Sequence, residues 1–480
     1  MKLSSDIIAD LLHHIITLSI MQCKFPASWK LVKIVPLHKK GSVLSKKNYR
    51  PVALLSPFGK ITEKIVYQQI YSYFAKNGIF HDNLHGYRQH RSTQTALIQM
   101  YDRWLEAANN RQISGVVLLD LSAAFDLVDH NILDKKLAIY GINSEFREWI
   151  MSYLNHRKQT VWIDHCYSHF LSIDAGVPQG SILGPLFFLI FYNDLPYSLQ
   201  CDVEAYADDS TLSATGDSEE AIGDKLSRTC EDVSLWMLQN RLKLNNEKTH
   251  ILTVGTSQRL RQSSSVHVSM NDVTLEESTN KYEQLLGLSV QSDLKWHQHV
   301  LNLQRKLKTR LAGLWKLRLV VPLKMLKTII DGIFNSTLTY CLPVFGGCEK
   351  GDICSIQVIQ NKAAQIATRS PPRFNRHLMF DKLDWLSVNQ LIVYHTLITV
   401  YKIRSSSEPK YLATKLNRDN RYGRIILPKY NLELAERGFI TRGSRLWNSV
   451  PVTIRTISNI GSFKRELKKW TKENIPRFLD

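Results

Sequence analysis

The spacing of apolar and polar residues changes along the chain, and each spacing predicts one kind of secondary-structure element. Near the start, apolar residues recur at helical spacing and predict an amphipathic helix: Ile7, Ile8, Leu11, Leu12, Ile15 and Ile16. A second helix is predicted to begin at the Ser92-Thr93 cap and to run to about Asn109. The uninterrupted apolar run from Ile182 to Tyr192 predicts a buried helix.

Short runs of β-branched and apolar residues predict strands at two acidic positions. Val116 to Leu119 predicts a buried strand that ends at Asp120. The segment from Val203 to Ala214 predicts a hairpin with Asp208 and Asp209 at its tip. Adjacent Asp side chains in a flat strand point to opposite faces, whereas at a tight turn they can share one cation. Because Asp also suits turns and helix caps, each acidic position has a purely structural interpretation as well.

The second half of the chain is predicted to be mainly helical up to a Pro-Pro pair. Leucines near helical spacing predict helices over residues 291–372, which end at Pro371-Pro372: Leu301, Leu307, Leu311, Leu314 and Leu317. Thr256 to Ser265 and Ser405 to Pro409 are polar stretches that predict loops.

Composition narrows the class of protein without deciding its function. The 480 residues, of which 44% are hydrophobic, can form a large core, and the length suggests about three domains. No apolar stretch reaches the roughly 18 residues of a membrane span, and the first residues carry no secretory-type signal. The seven cysteines form no CxxC pair, which favours reduced thiols in an intracellular protein.

The net charge of +19 is distributed unevenly. Residues 1–290 hold 29 Lys and Arg against 30 Asp and Glu, whereas residues 291–480 hold 33 against 13. Two stretches, Lys24 to Arg50 and Arg305 to Lys327, each contain eight basic residues and no acidic residue. Solvated helix faces normally mix both signs, so these single-sign stretches favour surfaces that follow the phosphates of a nucleic acid.

The acidic motifs and their surroundings resemble the reverse transcriptases of non-LTR (LINE-type, jockey- or CR1-like) retrotransposons. Leu119 to Asp126 resembles the first catalytic motif of that family, and Tyr206 to Asp209 resembles its YxDD motif. Gly176 to Ser181 resembles the PQG loop between them. Further segments match in the family's order: Phe25 to Lys30, Lys39 to Gly41, Asn48 to Pro51, Gly59 to Lys64, His85 to Thr93, Asn240 to Thr249, Leu286 to Leu288 and Gly443 to Asn448.

The resemblance implies an α+β right-hand polymerase fold with fingers, palm and helical thumb, followed by a basic C-terminal region. The palm would be an antiparallel sheet with helices. We expect residues 1–30 to be a truncated N-terminal helical extension and residues 31–290 to form fingers and palm. Residues 291–372 would be the thumb, and residues 373–480 the basic C-terminal region. We also expect the chain to lack the apurinic-type endonuclease that such elements generally carry upstream.

The same resemblance implies two-metal chemistry, in which a primer 3′-hydroxyl attacks the α-phosphorus of a nucleotide. The expected cofactor is a pair of Mg²⁺ ions, with Mn²⁺ as an alternative. Asp120, Asp208 and Asp209 would be the carboxylate ligands, and the Leu121 carbonyl would be a backbone ligand. Lys248 resembles the lysine that would protonate the departing pyrophosphate; an ordinary surface lysine is the alternative.

The resemblance also implies substrate contacts. Lys40 and Arg50 resemble the fingers residues that hold the triphosphate, although Lys39 is placed equally well. Gln179 would line the sugar of the nucleotide. Phe125 resembles the aromatic residue that excludes a 2′-hydroxyl, with simple core packing as the alternative.

Arg88, Lys306 and Arg310 are expected to contact nucleic acid. The implied function is RNA-directed DNA polymerisation on an RNA template, with a DNA primer and dNTPs. We expect an element-encoded RNA-binding protein as a partner, no membrane association, and an intracellular location in nucleus or cytoplasm as a ribonucleoprotein. An RNA-copying RNA polymerase is disfavoured by Phe125 and the YADD centre. A catalytically inactive or co-opted RNA-binding remnant is the remaining alternative.

Overall fold

The computed structural model describes residues 5–39, 41–245, 248–263, 265–271, 273–278 and 281–479. Up to residue 192, the chain contains six α-helices and six short strands in mixed order among the described residues. The elements of this part are α1 (Ser5–Met21), β1 (Leu31–His38), β2 (Tyr49–Leu54), α2 (Pro57–Lys76), α3 (Thr93–Asn109), β3 (Ile113–Leu119), α4 (His130–Ile139), α5 (Ser144–Leu154), β4 (Arg157–Ile163), β5 (Cys166–Tyr167), β6 (Leu171–Ile173) and α6 (Leu183–Tyr192).

The next part contains the predicted acidic hairpin and a second hairpin near its end. Its elements are β7 (Asp202–Tyr206), β8 (Asp209–Gly216), α7 (Glu219–Gln239), β9 (His250–Val254), α8 (Ser257–Gln262), β10 (Ser269–Met270), β11 (Val273–Thr274), β12 (Tyr282–Leu285) and β13 (Leu288–Gln291).

The remainder of the described chain is helical. Its helices are α9 (His297–Leu317), α10 (Leu323–Ile330), a π-helical turn (Asp331–Asn335), α11 (Ser336–Thr339), α12 (Leu342–Phe345), α13 (Lys350–Thr368), α14 (Arg376–Leu383), α15 (Val388–Ser406), α16 (Lys410–Leu416), α17 (Glu433–Glu436), α18 (Phe439–Ser449), α19 (Val452–Arg455) and α20 (Ile460–Asn474). Within the described ranges, no helix is long and apolar enough to cross a membrane.

A central antiparallel sheet with strand order β7-β8-β3-β9 carries the acidic residues. Successive residues of β3 point to opposite faces of the sheet, and both faces are covered. Val117 belongs to the core on one face, together with Phe187 of α6, whereas Val116 belongs to the core on the other face, together with Trp104 of α3. Burial on both faces explains why this strand reads as an uninterrupted apolar run.

The described chain contains a second sheet, of five strands. It has the order β2-β1-β4-β5, with β6 also paired to β4; β1 and β2 are antiparallel, whereas β1 and β4 are parallel. The Ala53 amide of β2 donates to the Gln179 carbonyl at 2.9 Å, which ties this sheet to the predicted PQG loop.

The helices after residue 297 share one core with α3. Trp104 of α3 belongs to the same buried cluster as Leu307, Phe345 and Phe463, which come from α9, α12 and α20. Lys415 of α16 adds ion pairs of 2.5 Å to Asp102 and to Glu106 of α3. The segments predicted as thumb and as C-terminal region therefore pack together around a helix from the first part of the chain.

Most of the predicted local elements are confirmed. The amphipathic N-terminal helix, the Ser92-capped helix, the apolar helix and the mixed α+β class all appear as expected. The loop predicted over Thr256 to Ser265 is wrong, because α8 occupies most of it. The Thr256 hydroxyl accepts from the Arg259 amide at 3.1 Å and caps that helix, and such a cap stabilises a short polar helix that apolar periodicity does not reveal.

Candidate active site

The predicted acidic hairpin forms as expected. Tyr206 at the end of β7 pairs with Asp209 at the start of β8, so that Ala207 and Asp208 make the connection. Ala207 has φ 60°, in the left-handed region that a two-residue connection commonly requires. Asp208 and Asp209 remain accessible to solvent at the tip.

The pairing of β3 with β8 brings the third carboxylate to this tip. Leu119 pairs with Ser210, so Asp120 follows the end of β3 beside the start of β8. Partial desolvation, together with the negative charges of Asp208 and Asp120, raises the pKa of Asp209. The three aspartates thus act on one another electrostatically at one end of the central sheet.

A short segment after α7 supports Asp120. Its carboxylate oxygen Oδ2 accepts a hydrogen bond from Asn245 Nδ2 at 3.2 Å. The same oxygen lies 3.2 Å from Lys248 Nζ. The Asn245 amide donates to the Asp120 carbonyl at 2.9 Å, and Leu121 bridges to Leu244. Lys248 therefore lies beside Asp120, which leaves its predicted role as a proton donor open. Asn245 is a residue of this site that the sequence did not single out, although it lies in the segment Asn240 to Thr249.

The donor atoms of this centre suit a hard divalent cation. Asp120, Asp208 and Asp209 offer only oxygen, as does the Leu121 carbonyl, and oxygen is the donor that Mg²⁺ and Mn²⁺ prefer. In the part of the chain that the structure describes, no three His, Cys, Asp or Glu side chains are already gathered around one ion position. Like charges at the tip repel one another, which favours separated side chains.

Phe125 follows Asp120 by five residues, and its side chain is only partly covered. Its ring stacks on Phe188 with a centroid distance of 4.8 Å and an interplanar angle of 21°. The Tyr87 ring meets it edge-on at 6.1 Å. Since the side chain is half-buried, these contacts allow both the packing role and the sugar-sensing role predicted for it.

Gln179 is held between two parts of the site. Its side-chain amide donates to Asp126 Oδ1 at 2.9 Å, and Asp126 is the last residue of the segment that resembles a catalytic motif. Gly176, at the start of the same loop, has φ 86°, and a Cβ there would lie 2.7 Å from the Asp126 carbonyl oxygen. The loop can therefore approach the motif this closely only with glycine at residue 176.

The basic hairpin of β1 and β2 reaches towards the carboxylates. The positive charge of Lys39 acts on Asp209 and opposes the increase in its pKa. The Lys39 amide donates to the Asn48 carbonyl at 2.7 Å, close to the exposed Arg50 of β2. The predicted triphosphate ligand Lys40 lies outside the described residues.

Arg88 has partners within the protein. Its guanidinium donates to the carbonyls of His81 at 2.7 Å and Leu84 at 3.4 Å, and it lies 5.3 Å from the Phe80 ring centroid. Burial, with a smaller contribution from Arg91, lowers the pKa of Arg88 to about 10. The nucleic-acid contact predicted for Arg88 gains no support from these bonds, which hold its own loop.

The loop that contains Arg88, from His81 to Arg91, packs against the acidic hairpin. The His85 amide donates to the Ala205 carbonyl of β7 at 2.8 Å, and the buried His85 ring lies 2.6 Å from the Glu204 carboxylate. A Cβ added to Gly86 would lie 2.3 Å from the Ala207 amide nitrogen. The sequence shows the motif from His85 to Thr93, but not that it packs against the hairpin.

Gly86→Ala should therefore lower activity far more than it lowers affinity for substrates. The new methyl group has to displace the backbone that carries Asp208, and a shift of about 1 Å in a catalytic group can cost roughly 100-fold in rate. The check is the kcat and KM of the variant, with a thermal unfolding curve to verify folding. Gly351→Ala is the matched control, because a Cβ there meets nothing within 4 Å; equal kcat in both variants would contradict the packing role.

The predicted basic helix lines a groove. Lys306 and Arg310 of α9 face the Gly287 turn between β12 and β13 across a cavity of about 610 Å³, with Tyr340 as a further lining residue. Arg310 also donates to the Ile333 carbonyl. Lys306 is exposed, so the groove keeps positive charge towards solvent.

Comparisons with known proteins agree with this geometry. Residues 37–290 match the family described as "Reverse transcriptase (RNA-dependent DNA polymerase)". The "Probable RNA-directed DNA polymerase from transposon BS" of Drosophila melanogaster is 27% identical over 78% of this chain and 42% of its own length. The "RNA-directed DNA polymerase from mobile element jockey" of the same organism is 27% identical over 72% of this chain and 38% of its own length. The chain thus spans less than half of each relative.

Solved structures give a weaker likeness. A telomerase from Candida tropicalis, in complex with a TWJ fragment of telomeric RNA, aligns with a TM-score of 0.41 and 12% identity. The alignment covers 94% of this chain and 65% of that one. The family match, by contrast, covers more than half of the chain and contains Asp120, Asp208 and Asp209, so the chain belongs to the reverse transcriptase (RNA-dependent DNA polymerase) family, with relatives among the polymerases of mobile elements such as jockey.

Proposed function

We propose that this chain is an RNA-directed DNA polymerase of a non-LTR retrotransposon, which extends a primer 3′-hydroxyl with dNTPs on an RNA template. The observation that carries the proposal is the strand register at the end of the central sheet. Since Leu119 pairs with Ser210 and Tyr206 pairs with Asp209, three aspartates lie at the same end of the central sheet. In the proposed right-hand fold, this sheet belongs to the palm, the β1–β2 hairpin to the fingers and α9 to the thumb.

Asp120, Asp208 and Asp209, with the Leu121 carbonyl, are the proposed holders of two Mg²⁺ ions, for which Mn²⁺ is an alternative. When bound, such ions neutralise phosphate charge and make the attacking hydroxyl a better nucleophile. Lys248 is the proposed proton donor to the departing pyrophosphate. Its position 3.2 Å from Asp120 supports this role, since a general acid has to lie within reach of the reacting phosphates.

The nucleotide would lie between the acidic centre and the β1–β2 hairpin. Arg50 and Lys40 are the proposed triphosphate contacts, and the action of the neighbouring Lys39 on Asp209 supports a cationic surface on this side. Gln179 and Phe125 would line the sugar. The bond from Gln179 to Asp126 supports this pairing, because it joins the loop to the motif that contains Phe125.

The groove between α9 and the β12–β13 turn is the proposed track for the template–primer duplex. Exposed Lys306 and its neighbour Arg310 supply the positive charge there. Contacts between such side chains and phosphates provide affinity that does not depend on sequence. We also propose that the chain acts inside the cell as part of a ribonucleoprotein, together with an RNA-binding protein that the same element encodes.

The double variant Lys306→Gln with Arg310→Gln should bind an RNA–DNA duplex more weakly and with a shallower dependence on salt. Each phosphate contact contributes about 0.7–0.9 to the slope of log affinity against log salt, so the slope should fall by roughly one to two units. A salt titration measures this slope, and primer extension should give shorter products. Lys135→Gln, a change at an exposed lysine of α4, is the control. A slope equal to that of the parent would mean that the basic run is only a solvated face.

The experiment that tests the proposed function is primer extension by the purified chain on an RNA template. We expect dNTP-dependent products with Mg²⁺ and little product with ribonucleotides. Binding of RNA without any extension, under conditions in which the chain is folded, would favour the non-catalytic alternative.

A further inference from the structure

The segment Gly443 to Asn448, which belongs to no part of the proposed reaction, builds a cleft in the C-terminal helices. Trp447 lines a cavity of about 550 Å³. The neighbouring Asn448 clamps the loop that follows α16: its side-chain oxygen accepts from the Ile425 amide, and its side-chain amide donates to the Ile425 carbonyl, both at 2.9 Å. The motif therefore attaches an exposed loop to the rim of a cavity.

This loop folds back on itself and presents an aromatic side chain. The Ile426 amide donates to the Arg418 carbonyl at 2.8 Å, and the Gly423 amide donates to the Asn420 carbonyl at 3.0 Å. Gly423 has φ 65°, which permits the tight turn. Tyr422 lies in this turn, with 69% of its surface exposed, and also lines the cavity. So large an exposed aromatic ring on an anchored turn is available for stacking.

Two arginines lie at the turn that carries the exposed ring. Arg421 lies 4.7 Å from the Tyr422 ring centroid, and Arg455 donates to the Gly423 carbonyl at 3.0 Å. Arg404 lines the same cavity but is neutralised by Asp419 at 2.8 Å. Among the described residues, Arg421 and Arg455 have no carboxylate partner. The Nε atom of Arg455 is buried without a hydrogen-bond partner in that part of the chain.

We propose that this surface, the Tyr422 cleft, binds single-stranded nucleic acid. An unstacked base would lie against the Tyr422 ring, and the adjoining phosphates would contact Arg421 and Arg455. Sequence-independent binding of single strands uses this combination of an aromatic platform with positive charge. A duplex keeps its bases stacked and cannot offer a base to the ring, so the cleft should favour single strands. This inference goes beyond polymerisation, because it requires none of the three aspartates.

The test uses the full chain and two labelled ten-nucleotide single strands, one of RNA and one of DNA. Photo-crosslinks located by mass spectrometry identify the bound residues, and fluorescence anisotropy gives the affinity. We expect crosslinks at residues 421–424 and at Arg455, and an affinity about tenfold lower for Tyr422→Ala, since one stacked base contributes about this much. Tyr422→Phe should retain the parent affinity.

Tyr197→Ala is the matched control, because Tyr197 is also 69% exposed and no arginine or lysine covers its ring in the described structure.

The two strands distinguish the source of the ligand. Stronger binding of the RNA strand would identify RNA as the ligand, and stronger binding of the DNA strand would identify DNA as the ligand. Extension of a short primer–template should be unchanged in Tyr422→Ala, which separates this inference from the proposed polymerase function. Equal affinities of Tyr422→Ala and Tyr197→Ala, or crosslinks confined to other residues, would overturn it.

Discussion

Asp208→Asn should abolish primer extension and leave the affinity for RNA nearly unchanged. The amide has almost the same shape as the carboxylate, and residue 208 is exposed at the hairpin tip, so the fold should be retained. The substitution removes one of three negative charges that would hold the catalytic cations. Loss of such a group typically lowers the rate by two or more orders of magnitude. The measurement is kcat at saturating dNTP, with RNA binding determined on the same preparation.

Asp202→Asn provides the control for this prediction. Asp202 begins the strand that leads to Asp208, and its carboxylate is exposed, so its pair with Arg103 at 3.1 Å should contribute little to stability; Arg103 keeps its second partner, Glu204. Activity close to that of the parent is expected for this variant. If Asp208→Asn also retained a tenth or more of the parent rate, the assignment of Asp208 as a metal ligand would be wrong.

Phe125→Val should reduce the preference of the enzyme for dNTPs over ribonucleotides. In the proposed site, the ring lies where a 2′-hydroxyl would collide with it, and a shorter side chain removes this collision. A change of about 1.4 kcal/mol in the relative barriers changes the discrimination tenfold, and we expect at least about this effect. The measured quantity is the ratio of kcat/KM for a dNTP to that for the matching ribonucleotide.

Phe125→Tyr is the control, because it keeps the ring that stacks on Phe188. Its discrimination should stay close to that of the parent. The Val variant also loses part of this stacking, so a lower unfolding temperature is expected whichever role the ring has. Only the ratio distinguishes the roles: if it is the same in the Val variant and the parent, Phe125 serves packing alone.

The sequence by itself determined the local elements that carry the acidic residues. The apolar run before Asp120, the interrupted β pattern around Asp208 and Asp209, and the cap at Ser92 each depend on neighbouring residues only. Such features follow from side-chain period, turn chemistry and capping, and the structure contains all of them. The order of the motifs then indicated the family, and the family match over residues 37–290 contains most of them; Phe25 to Lys30 and Gly443 to Asn448 lie outside it.

Only the tertiary structure decided which distant residues support this centre. Asn245 bonds to Asp120, and Gly86 lies against Ala207, although more than a hundred residues separate the members of each pair. The hydrogen bonds from Arg88 to the carbonyls of His81 and Leu84 were likewise not apparent from the sequence. The core that α3 shares with the C-terminal helices is equally non-local. The apolar pattern of an element shows which of its faces is buried. It does not show which partner covers that face, because hydrophobic burial is non-directional. The partner depends on strand register and on shape complementarity across the whole chain.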